Sequence, residues 1–91
     1  MADTPAENVK FPPASLNVLV STLATQALVA LGQMVNPATN KAEANLPFAK
    51  HLIDTLEVLE AKTEGNRAPE ETQLLGGALH QLRMIYLDAN K

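Results

Sequence analysis

The sequence predicts an all-α fold: a small three-helix bundle, or an extended helical hairpin with one further helix, completed by homo-oligomerisation. Three observations predict it. Apolar residues recur at three- and four-residue spacing in three segments, separated by stretches rich in asparagine, proline and glycine. The run SLNVLVSTLATQALVALGQM, Ser15 to Met34, holds no charged residue and lies inside a longer uncharged stretch between Lys10 and Lys41. The chain has 91 residues and no cysteine, so disulfides and thiolate metal sites are both missing as supports for one small domain. Domains this short bury only about 60% of the surface their unfolded chain exposes. Association with other copies is the support that remains.

Residues 1–13 read as a disordered tail, polar, with Pro5, Pro12 and Pro13 and no helical period. Residues 14–88 form a single helical domain. Ser15 suits an N-cap, because its hydroxyl can accept from an unpaired amide of the first turn. The first helix is expected over about 15–34, with Asn36-Pro37 as its stop, since the residue before proline disfavours the helical region. Its main apolar arc is Leu16, Leu19, Val20, Leu23, Ala27, Ala30, Leu31 and Met34. Outside that arc lie a strip of mostly small residues, Ser21, Thr25, Leu28 and Gly32, and a ridge of Val18 and Val29. Such a helix needs covering on more than one side.

The connection from Val35 to Ala44 is long for a bundle. Asn40 stands where a tight turn wants positive φ, so the loop either forms a small ordered hairpin or stays irregular. Asn45 is expected to cap a second helix over 46–63, with Pro47 in its first turn. Ala49, Leu52, Ile53, Leu56 and Leu59 give it one apolar face, and Gly65 ends it in the left-handed region. Pro69 opens the third helix, 69–88, where Glu70 and Glu71 meet the N-terminal partial charge. Leu74, Leu75, Ala78, Leu79, Leu82, Ile85 and Tyr86 form its core stripe. Gly76 and Gly77 fall outside that stripe, near His80, Met84 and Leu87; residues 89–91 fray.

Helix length and lack of charge raise the question of a membrane span in the first helix. Asn17, Ser21, Thr22, Thr25, Gln26 and Gln33 argue against it, as does the lack of an aromatic belt. Burying three unpartnered amides would cost roughly 1–3 kcal/mol each. Burial between protein helices is the expectation. The formal net charge of -3, with no basic cluster, argues against nucleic acid and against an anionic membrane surface. The start, MADTPAENVK, lacks the basic-then-apolar pattern of a secretory signal. A soluble, cytoplasmic protein is expected.

Little in the chain suggests catalysis. His51 and Asp54, three apart on the second helix, could be a base and its orienting carboxylate, but a solvated face with Lys50, Glu57 and Lys62 is the simpler reading. No histidine has metal-ligand spacing, and Gly76-Gly77 lacks the strand and the GK[ST] of a phosphate loop. Asp54 and Arg83 could pair between helices. No catalytic, cofactor or metal residue is assigned.

The segment NPATNKAEANLPFAKHLIDTLEVLEAKTEGN, Asn36 to Asn66, resembles the bacterial DUF1844 family, as do ATQALVALG before it and the QLL…LHQLRM residues after it. The resemblance covers about residues 14–87, and its most specific part is N-P-x-T-x-K-x-E-x-N-L. Asn40 stands where a glycine is expected at the turn, Ala68 where a better cap is expected, and Gly76-Gly77 where stronger helix formers are expected. The resemblance implies a small cytoplasmic helical protein with no assigned activity or cofactor. Its matched loop residues Asn36, Thr39, Lys41, Glu43 and Asn45 are expected to form a structural hydrogen-bond network, with a recognition surface as the alternative.

Together these readings predict a non-enzymatic interaction module that self-associates through its first and third helices. The candidate interface is Val18, Leu28, Val29, Gly32, Gly77 and Met84. An unidentified protein partner, or an apolar ligand or lipid surface, would use the same excess of apolar surface.

Overall fold

The computed structural model describes residues 11–91, so residues 1–10 of the expected tail lie outside the described part. Three helices follow in order: α1 (Leu16–Ala30), α2 (Leu46–Lys62) and α3 (Pro69–Ala89). Each packs against both of the others, and the described residues contain no strand. This is the three-helix bundle of the sequence expectation. No described helix is long and apolar enough to cross a membrane.

The helix starts follow local chemistry. Ser15 is extended and its hydroxyl accepts from the Val18 amide at 3.1 Å. Asn45 does the same for the Phe48 amide at 3.2 Å. Ala68 has no acceptor to offer α3, but Glu71 reaches back to accept from the Ala68 amide at 2.7 Å, which is half of a capping box.

One boundary differs from expectation. Helix α1 stops at Ala30 rather than Met34, because Gly32 takes a φ of 79°. The Gly32 amide donates to the Val29 carbonyl (3.0 Å) and the Gln33 amide to the Leu28 carbonyl (2.9 Å), the paired bonds of a Schellman motif. The chain has therefore left the helix before it reaches Asn36-Pro37. Met34 consequently leaves the expected core arc and is 43% exposed; Leu19, also expected in that arc, is 45% exposed. Leu28 instead packs against the core.

The core is wholly apolar. Val20, Ala27, Ala30 and Leu31 come from α1 and its end, Ala49, Leu52, Ile53 and Leu56 from α2, and Leu75, Leu79 and Leu82 from α3. The buried face of α2 is the one its spacing predicts.

A closed turn joins α2 to α3. Gly65 has a φ of 84°, and the Arg67 guanidinium is drawn beneath the turn, its side chain only 9% exposed. One Arg67 nitrogen donates to the Glu60 carbonyl at 3.3 Å, closing the C-terminus of α2. Arg67 Nε and Asn17 Oδ1 are buried without a hydrogen-bond partner among the described residues.

Candidate functional site: the outer face of α1 and the loop beside it

Four residues of α1 set the site. Val18, Thr22, Thr25 and Val29 are separated by steps of four, three and four, so they share one face of the helix. Val20 and Ala27, which are buried, lie on the opposite side. The face is flanked by Ser21 and Gln26 and carries no charge. Thr22 donates its hydroxyl to the Val18 carbonyl at 2.9 Å, so its polar group is satisfied within the helix. What the residue then adds to the surface is largely a methyl group.

Two open clefts run along this face. The first, about 500 Å³, lies against Pro12, Asn17, Val18, Ser21 and Thr22. The second, about 530 Å³, lies between Val29 and the loop residues Asn36, Pro37, Glu43 and Asn45, with Phe48 at its end. Thr25 and Gln26 border both clefts.

The loop that walls the second cleft is ordered as a short hairpin. Leu31 pairs with Ala44 and Asn36 with Lys41, both antiparallel. Asn36 is its centre. Its amide donates to the Lys41 carbonyl (2.8 Å), its carbonyl accepts from the Thr39 and Asn40 amides (3.2 and 2.6 Å), and its side chain accepts from the Ala38 amide (2.8 Å). Asn40 has the positive φ expected of it, 62°. Asn45 closes the loop twice, capping α2 with its side chain and donating its own amide to the Ala30 carbonyl at 2.7 Å. Of the five expected network residues, Asn36 and Asn45 contribute side chains, and Thr39 and Lys41 take part through the backbone. Glu43 borders the second cleft.

The six candidate interface residues do not form one patch. Val18 borders the first cleft and Val29 the second, on the same face of α1. Leu28 leans on the core, and Gly32 ends α1, where a Cβ would meet Ala44 at 3.4 Å. Gly77 borders a separate cleft between α1 and α3, lined also by Val20, Ala24 and Leu74. Met84 lies towards the end of α3 with Gln33 and Leu87. A Cβ at Gly76 or Gly77 would meet nothing within 4 Å, so both stand open.

The charged pairs also differ from expectation. Arg83 binds Glu57 (2.8 and 3.2 Å), not Asp54, while Asp54 binds Lys50 at 2.8 Å. The hydrogen bond from Lys50 to Asp54, and then the opposite charge, raise the pKa of the Lys50 ammonium above its ordinary value. The His51 ring lies nearly parallel to Phe48, with 6.3 Å between ring centres. The base-and-carboxylate alternative for His51 and Asp54 therefore has its carboxylate engaged elsewhere. Among the described residues no group of three or more histidine, aspartate or glutamate side chains could hold a metal ion.

Phe48 was not foreseen as part of a site. The available signal was its position directly after Pro47 and off the Ala49–Leu52–Leu56 stripe, which leaves it 47% exposed.

Neither the curated proteins nor the solved structures include a match to this chain. A family model does match: that of DUF1844, described as a domain of unknown function, over residues 13–88. That span holds all three helices and the hairpin loop, and the chain belongs to the DUF1844 family.

Proposed function

We propose that this protein is a soluble, non-enzymatic interaction module that works by self-association. The supporting observation is the outer face of α1, a full helix length of surface without one charged side chain on a chain of net charge -3. Solvated helix faces ordinarily carry charge, as α3 does with Glu70, Arg83 and Asp88. A face spared of charge avoids repulsion between like-charged copies and the desolvation cost of burying ions. The non-enzymatic reading is supported by the pairing of Asp54 with Lys50. A reducing cytoplasm suits a chain with no cysteine.

Molar mass by light scattering, over a concentration series without detergent, tests the reading. The expected result is a fixed multiple of the chain mass that falls to the single-chain mass in Val29→Glu. A monomer at every concentration would overturn it. Recovery of the chain on uncharged phosphatidylcholine vesicles would then favour the lipid-surface alternative.

A further inference from the structure

The second cleft carries a charge that no side chain around it answers. Val29 of α1, Pro37 of the hairpin and Phe48 of α2 give it apolar sides, and Thr25 and Gln26 add uncharged polar groups. Glu43 is its one charged lining residue. Its side chain is exposed, and among the described residues it takes part in no ion pair. Lys41, two residues earlier on the hairpin, does not line the cleft. The volume of about 530 Å³ lies within the roughly 300–1,000 Å³ of clefts that take small groups.

We infer that this cleft receives the arginine side chain of a partner polypeptide. One carboxylate in an otherwise uncharged, partly apolar cleft selects a cation carried on an apolar stem. Guanidinium fits the set better than ammonium. It is planar and weakly hydrated, its fork matches the two oxygens of the Glu43 carboxylate, and its plane stacks on an aromatic ring such as Phe48. The Phe48 ring is available for this at 47% exposure, and His51, 15° from parallel with 6.3 Å between ring centres, supports it from the same helix. Gln26 and Thr25 offer acceptors for the remaining guanidinium N–H groups.

The occupant is not a second copy. The chain has two arginines, and both are engaged: Arg67 is drawn beneath the α2–α3 turn, and Arg83 binds Glu57. The arginine comes instead from a basic segment of another polypeptide, which a net charge of -3 attracts at long range. Thr25 and Gln26 also border the first cleft, where Ser21 adds a further uncharged hydroxyl. Hydroxyls and amides pair with the N–H and C=O groups of a peptide main chain, not with a second ion. The inference does not rest on self-association.

Magnetic-resonance titration of the isotope-labelled full chain tests it, following backbone amide signals. The probes are N-acetyl-arginine amide, its neutral isostere N-acetyl-citrulline amide, N-acetyl-lysine amide, and the acetylated and amidated peptide Ala-Ala-Arg-Ala-Ala. The arginine probe should shift the Val29, Glu43 and Phe48 amides and saturate in the millimolar range, as an exposed ion pair does. The citrulline probe should bind about fivefold more weakly, and so should arginine to Glu43→Gln. The citrulline comparison uses the unaltered chain, so it stands even if the variant disturbs the hairpin. The peptide should bind more tightly than the single residue and carry the shifts on to Ser21. Citrulline binding as tightly as arginine would overturn charge recognition by the cleft. Lysine binding as tightly would overturn the choice of guanidinium, and a peptide no tighter than blocked arginine would overturn the polypeptide source. Shifts only at residues outside the cleft would overturn the site itself.

Discussion

Helices α1 and α3 solve the same packing problem in opposite ways. Helix α3 buries Leu75, Leu79 and Leu82 and turns a charged face to solvent; α1 buries Val20 and two alanines, Ala27 and Ala30, and turns out a face with no charge. The fully buried positions of α3 are all leucines, whereas those of α1 are smaller, with Leu16, Leu23 and Leu28 packed partly buried beside them. Burial alone would rank α1 as the lesser helix.

The largest effect that would test this contrast is on the α3 side. Leu79→Ala, at a fully buried position, should cost about 2–5 kcal/mol in denaturant unfolding, through lost burial and the cavity left behind. On α1 the sign of the useful change reverses. Ala27→Leu adds bulk where none fits and should cost about 1–3 kcal/mol; a neutral result would mean α1 does not dock closely.

Gly77 gives a smaller effect that sharpens the distinction. Its Cβ position is open, so Gly77→Ala should stabilise by about 1 kcal/mol through helix propensity and leave the molar mass unchanged. A drop in molar mass would place Gly77 in the contact between copies instead. Smallest is the α2–α3 ion pair. Glu57 and Arg83 are each 46% exposed, and a double-mutant cycle should give about 0.2–1 kcal/mol of coupling, shrinking as salt is added.

What the sequence made legible was local. Ser15, Asn45, Gly65 and Pro69 each act within a turn or two of chain, and each sits at the helix end expected of it. Gly32 was harder, since a glycine followed by Asn36-Pro37 offers two stops and only the first takes effect. Relations between helices were less legible still. Asp54 and Glu57 lie one turn apart on the same side of α2, and the choice of Glu57 for Arg83 depends on how far α3 slides along α2. Spacing within one helix carries no information about that slide. The same limit explains why Val18 and Val29 share one face of α1 while Gly77 and Met84 lie at clefts elsewhere. The second cleft itself needed the hairpin wall, which depends on pairings between residues such as Leu31 and Ala44 that no periodicity displays.

The bond from the Asn45 amide to the Ala30 carbonyl joins the last turn of α1 to the N-cap of α2. Because Asn45 also caps α2, unravelling at either helix end loosens the other. In hydrogen-exchange terms the two ends and the hairpin between them form one opening unit, with the Asn45 amide and the Asn36 amide exchanging at a common rate. A segment with the solvent exposure of a loop would thus keep the exchange lifetime of a helix, and the wall of the second cleft would open only when α1 itself begins to leave the bundle.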